Sequence, residues 1–267
     1  CMHIFDIVKY EPPVKMVRLA NGKKIRYQNN PNFHVYYKFP NLKNVPNMFT
    51  EDDLVEITRK VHGTNARYGI VKKKKLSILD HIRILFGSKK AGYEFVIGSH
   101  NVEKGSDSQG YYDINVWFDT NNKYNIESKM WEFFYFLLNI DEPIGTGIIL
   151  YGEIYGAGIQ KGYDYRKQDH CFAGFDLTID GKYETTYDTV TAINKYLSLP
   201  HVEILYTGNW SKEIQDAFVF NNFIEGTKVP HEGVVIKHIL GHRKKIAKVI
   251  NPDYLIYSEK HNVGDSH

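Results

Sequence analysis

The chain has 267 residues, 42% apolar and 24% charged. That balance excludes disordered, collagen-like and disulfide-stapled proteins and leaves room for one large core. A formal charge of +3 is too mild to establish a polyanion partner. With only Cys1 and Cys171 there is no disulfide framework, which fits an intracellular, most simply cytoplasmic, setting. The sequence has no apolar run of membrane-spanning length and no charged-then-apolar leader. Its Cys1-Met2 opening suits an excised domain or a cloning remnant.

Residues 1–50 are rich in Pro and Asn and read as an extended lead-in around a core, ahead of a main domain over 51–267. Within the lead-in, Asn21-Gly22 between Val17-Arg18-Leu19 and Ile25-Arg26-Tyr27 predicts a hairpin. Strand-like runs follow at Leu54–Ile57, Glu94–Ile97, Tyr112–Phe118, Ile148–Ile154, Ala173–Ile179, Val202–Tyr206 and Val234–His238, and Lys245 to Leu255 closes the series as a final strand. Helices are predicted over Glu127–Leu138, with Met130, Trp131, Phe134 and Leu138 near one stripe, over Thr189–Leu199, and over Ser211–Phe220, where Ser211 is the N-cap. Strands and helices mix without strict alternation, which predicts an α+β fold with antiparallel sheets.

Lys60-Val61-His62-Gly63-Thr64-Asn65 follows the first strand of the main domain. A lysine at a strand end, followed by a glycine that lets the backbone turn closely, sets an amine at a pocket rim. Asn65 and backbone N–H groups can then face a phosphate. Four further segments follow in order: Tyr151-Gly152-Glu153-Ile154-Tyr155-Gly156, Phe172-Ala173-Gly174-Phe175-Asp176-Leu177, His231-Glu232-Gly233-Val234-Val235-Ile236-Lys237, and the run from Lys245 to Leu255. Together they supply an amine nucleophile, carboxylates for ribose or a divalent ion, an aromatic ring for a base, and cations for phosphates.

This ordered set resembles the nucleotidyltransferase motifs of polynucleotide ligases and RNA capping enzymes, over roughly residues 10 to 258. The His after the nucleophile, in Lys-x-His-Gly-x-Asn, resembles the RNA ligase 2-like branch. The resemblance implies a nucleotidyltransferase fold: two antiparallel-rich sheets with flanking helices around an ATP cleft, ATP-grasp-like in outline. It implies an ATP-dependent RNA ligase that uses Mg²⁺ or Mn²⁺, is adenylylated on Lys60, and joins RNA 3′-hydroxyl and 5′-phosphate ends, most simply at a nicked duplex. By the same resemblance His62, Gly63, Asn65 and Arg67 shape the nucleotide pocket, and Ser99-His100 contacts ribose and the reactive phosphate. Glu153 holds the ribose, Phe175 stacks on adenine, Glu232 orients the metal, and Lys237 and Lys248 contact phosphates.

Several positions depart from that pattern. His100 stands where relatives carry Arg, and a neutral imidazole holds a phosphate less well than a bidentate guanidinium. Arg59 stands where relatives often carry Glu, and is expected to place a cation near Lys60. Lys245 and Lys248 compete for the last motif's role, with Lys248 preferred. The chain ends soon after that motif, which resembles the RNA ligase clade whose OB module precedes the catalytic domain. A DNA ligase, a capping guanylyltransferase and a non-catalytic nucleic-acid-binding module are the alternatives. A zinc site from His231, His238 and His242 is rejected, because residues four apart on a strand do not converge.

Overall fold

The structure is a computed structural model. It describes the backbone of residues 16–18 and 24–26, and residues 29–105, 115–139, 144–163, 165–183, 193–239 and 245–263. Two compact units divide after Asn30. In the first, β1 (Met16–Arg18) pairs antiparallel with β2 (Lys24–Arg26), Val17 opposite Ile25, as the hairpin signal predicts. The Asn21-Gly22 turn lies outside the described residues.

The second unit is built on two sheets, antiparallel in all their strand pairs. The four-stranded sheet has the order β11-β10-β3-β9, from β3 (Leu54–Lys60), β9 (Ile204–Asn209), β10 (Gly233–His238) and β11 (Ile246–Ile250). The five-stranded sheet has the order β5-β4-β6-β7-β8, from β4 (Thr64–Lys72), β5 (Tyr93–Gly98), β6 (Gly147–Gly156), β7 (His170–Ile179) and β8 (Lys182–Tyr183). Helices flank them: α1 (Ile78–Leu85), α2 (Val116–Tyr124), α3 (Ile126–Asn139), α4 (Lys212–Val219) and α5 (Pro252–His261). Among the described residues no helix is long and apolar enough to cross a membrane.

Each sheet buries one face in its own core. Alternation along β4 and β6 sends Ala66, Tyr68, Ile70, Ile148, Leu150 and Ile154 to one side, where α3 covers them with Met130, Phe133, Phe134 and Leu137. In the four-stranded sheet Val55, Ile57, Val234, Ile236 and Ala247 form the second core, with Val219 of α4 and Leu42 and Phe49 from the segment before β3. Residues 31–50 therefore belong to the main unit: Phe33 and Tyr36 cover the opposite face of the five-stranded sheet, around Val71, Ile149 and Tyr151.

The structure corrects four expectations. Tyr112–Phe118 does not end as a strand: α2 begins at Val116 and buries Val116, Trp117, Thr120 and Asn121, a helical spacing that a short apolar run hides. Residues 112–114 lie outside the description. The final strand stops at Ile250, where Asn251 caps α5 through Asp253 N–H and Pro252 takes the first turn. Within Thr189–Leu199 only a π-helical turn, Ile193–Leu197, is described. The strand expected at Val202–Tyr206 runs instead over Ile204–Asn209. By contrast, α4 starts as the sequence predicts, with Ser211 Oγ accepting from Ile214 N–H.

Phe134, fully buried against Tyr93 and Trp131, ties α3 to its sheet. Phe134→Ala is expected to cost about 3–5 kcal/mol, read from the urea midpoint at unchanged slope.

Candidate active site

Directly opposed residues of antiparallel strands point to the same side of a sheet, so register decides which motif residues meet. On the four-stranded sheet Lys60 lies opposite Gly233, Glu56 opposite Lys237, and Val235 opposite both Thr58 and Lys248. Lys60, Lys237 and Lys248 thus share the face turned away from the Val55–Ile57 core. Register also separates the two candidate lysines of the last motif. The Lys245 ammonium is held by both Asp53 carboxylate oxygens at 2.7 Å, beyond the end of β11. Lys248 sits within the strand, on the Lys60 face.

On the five-stranded sheet Asn65 lies opposite Glu153, Arg67 opposite Tyr151, and Tyr151 opposite Asp176, all on the face away from α3. A β-bulge interrupts the β6–β7 register between Tyr151 and Gly152. Phe172 packs in the α3 core while Phe175 joins Tyr36 on the other face, as their odd spacing predicts. Asp176, four residues from Phe172, would share its side in a regular strand. The bulge adds a residue and turns Asp176 to the Tyr151 side instead.

The two faces meet at Lys237. Its ammonium donates to the Phe175 carbonyl at 2.6 Å and lies 3.3 Å from an Asp176 carboxylate oxygen, which also accepts from the Tyr36 hydroxyl at 2.9 Å. Lys237 is 2% exposed and Asp176 fully buried, so each charge needs the other.

The turn after Lys60 is locked from several sides. Gly63 has no room for a side chain: a Cβ would lie 2.2 Å from the Ile154 carbonyl and 3.0 Å from Glu153 Cγ. This close approach brings the turn beside Glu153 on β6. Gln160 donates to the Gly63 carbonyl at 2.7 Å, and His62 N–H donates to the Tyr165 hydroxyl at 2.6 Å. The His62 ring, 2% exposed, is caged by Tyr163 and Tyr254, with the Tyr254 hydroxyl 3.1 Å from Nδ1. Burial raises the hydroxyl pKa of Tyr165 well above its ordinary value.

Lys60 Nζ lies 2.6 Å from Glu232 Oε1, and the other carboxylate oxygen is 3.8 Å from His62 Nδ1. Glu232 is buried, and its Oε2 has no hydrogen-bond partner among the described residues; neither does buried Asn65 Oδ1. An orphaned carboxylate oxygen beside an amine suits a hard cation, and an orphaned amide oxygen suits a polar ligand. Among the described residues no three His, Cys, Asp or Glu side chains gather to hold a metal by themselves. A cation on Glu232 would therefore complete its shell with phosphate oxygens and water, as Mg²⁺ usually does.

Two expectations change in the structure. Alternation turns Arg59 to the face opposite Lys60, where it pairs with Glu203 at 3.2 Å. Arg67 is fully buried, and its guanidinium donates to the carbonyls of Ser99, Phe33 and His34 while resting 4.3 Å over the Phe33 ring. Burial pulls its pKa down to about 10. Arg67 therefore stations the Ser99–Val102 turn, closed by Ser99 N–H on the Val102 carbonyl, which contains His100. Of the histidines weighed for zinc, His238 lies 3.5 Å from Asp53, burial lowers His231 to about 4, and His242 is outside the described residues.

Sequence reasoning missed Asp176, Tyr36 and the tyrosine cage around His62. Gly174 inside a strand is the one local hint of a bulge. The cage residues come from separate segments and carry no spacing signal.

A family model described as RNA ligase matches residues 53–250. Solved structures with similar folds include three of Naegleria gruberi RNA ligase variants. One is an apo form, with TM-score 0.60 and 18% identity, over 97% of this chain and 66% of that one. Another carries ATP and Mn, with 0.60 and 19%, over 98% and 67%. A third carries AMP and Mn, with 0.59 and 18%, over 98% and 67%. The chain thus spans about two-thirds of the length of the structures it matches. No curated protein matches it in sequence.

Arg67→Lys keeps the charge but cannot serve three carbonyls in one plane, leaving buried acceptors unpaired. It is expected to cost about 1–3 kcal/mol in urea unfolding.

Proposed function

Because the chain belongs to the RNA ligase family, we propose that it is an ATP-dependent RNA ligase that carries AMP on Lys60. The observation that carries this reading is the convergence of Lys60, Glu232, Lys237, Lys248, Asn65 and Glu153 on the inner faces of the two sheets. The solved Naegleria gruberi structures with ATP and Mn support the choice of nucleotide and metal.

In the first step Lys60 Nζ attacks the α-phosphorus of ATP. An N–P bond forms, the P–O bond to pyrophosphate breaks, and the departing oxygen keeps the electron pair. Attack needs a neutral amine, so Lys60 must release a proton to solvent and leave its 2.6 Å contact with Glu232 before it attacks. Glu232 would then hold a divalent ion, Mg²⁺ or Mn²⁺, which when bound neutralises phosphate charge. Lys237 and Lys248 offset charge growing on the phosphates. Phe175 would stack on adenine, Glu153 would hold the ribose, and Asn65 Oδ1 would find its partner in the bound nucleotide or nucleic-acid end.

In the later steps an RNA 5′-phosphate oxygen takes AMP from Lys60, and an RNA 3′-hydroxyl then displaces AMP to form the phosphodiester. His100, on the turn stationed by Arg67, would meet the 5′-phosphate, and a nicked duplex presents both ends together.

Incubation with α-labelled ATP and Mg²⁺ or Mn²⁺ should leave label on the denatured wild-type chain and none on Lys60→Ala. Label from GTP alone would point instead to a capping enzyme, and no label from either to a binding module. Glu232→Ala should slow labelling by roughly 10²-fold or more. Unchanged labelling in that variant would remove Glu232 from the site.

A further inference from the structure

Helix α1 leaves all but one of its residues exposed. Its one buried residue is Asp80, which takes Lys73 Nζ at 2.8 Å and closes a capping box with Ser77. Its apolar residues face out: Ile78, Leu85 and Phe86 are 81%, 84% and 84% exposed, with Leu79 and Ile82 between them. At the α-helical step these five fall within an arc of roughly 120°, so they form one continuous crest. Soluble chains rarely leave such a crest without a use.

The surroundings say what it fits. Residues 72–90 hold seven basic side chains, Lys72 to Lys75, Arg83, Lys89 and Lys90, against the single acid Asp80. The surface that covers the crest must be apolar and anionic at once. A second copy of the chain brings the same positive charge and is repelled. RNA offers phosphate but no apolar layer for Ile, Leu and Phe. The crest is convex and lacks the Trp and Tyr typical of protein-binding hot spots. An interfacial helix has this composition, with Leu, Ile or Phe on one face and lysines at its flanks.

We propose that α1 and its lysine flanks dock peripherally on an anionic lipid bilayer, with the Ile78–Phe86 crest at the acyl boundary and the lysines among headgroups. The site is remote from the nucleotide face: α1 follows the Lys72 end of β4, seven residues beyond Asn65, about 23 Å along the strand. Docking therefore leaves the inner faces of the sheets open, and the proposal does not depend on the ligase reading.

The test is flotation of the purified chain with phosphatidylcholine vesicles, with and without phosphatidylserine. Flotation is expected only with phosphatidylserine and should fall as salt rises. Leu85→Asp with Phe86→Asp, and separately Lys74→Glu with Lys75→Glu, should each weaken it by about tenfold or more. Thermal unfolding and α-labelled ATP incorporation of the same variants check that they remain folded. No flotation with phosphatidylserine, or flotation indifferent to the Leu85 and Phe86 substitutions, would overturn the proposal. So would a concentration-dependent dimer that these substitutions abolish, or duplex RNA binding without lipid that depends on Leu85 and Phe86.

Discussion

Lys237 carries its ammonium into a place with almost no water, 2.6 Å from the Phe175 carbonyl and 3.3 Å from Asp176. A lone charge there would be prohibitively costly, and its carboxylate partner comes from the other sheet. The pair therefore sets where the two inner faces stand relative to one another. Tyr36 completes it from the segment before β3, so a stretch with little secondary structure becomes part of the same junction. The residues of the proposed nucleotide site are arranged around that joint.

The site follows from a division of labour between the faces of each sheet. One face is apolar and packed by helices, which gives the strands a fixed register. The other face then inherits that register and presents cations from one sheet opposite carboxylate and amide from the other. The turn from Lys60 to Asn65 connects the two sheets directly, so the amine stands where they come together. Gly63 permits that connection by letting its backbone lie against β6, and the tyrosines around His62 hold it. The contact between Lys60 and Glu232 joins the end of β3 to the residue just before β10.

Arg67 shows how a buried cation can organise the backbone around it. It lies two residues beyond Asn65 on β4, and its guanidinium is occupied by three backbone carbonyls. Its effect is to fix the turn that bears His100. Arg59 gives the opposite lesson: one step before Lys60 in sequence, it belongs to the other face and to Glu203.

The sequence alone determined the α+β class, most strands, the lysine at a strand end and the acids beside glycines, because these rest on local periodicity and on residue chemistry. It separated Phe172 from Phe175 by parity and preferred Lys248 to Lys245. It misjudged α2, whose short apolar run fits either period, and ran the final strand past the Asn251-Pro252 helix start. Only the tertiary structure decided that Asp176 faces Lys237, that Tyr36, Tyr163 and Tyr254 reach the site, and that α1 turns its apolar side outward. Each of those depends on a bulge, or on packing between segments far apart in the chain, and neither leaves a periodic trace in the residues themselves.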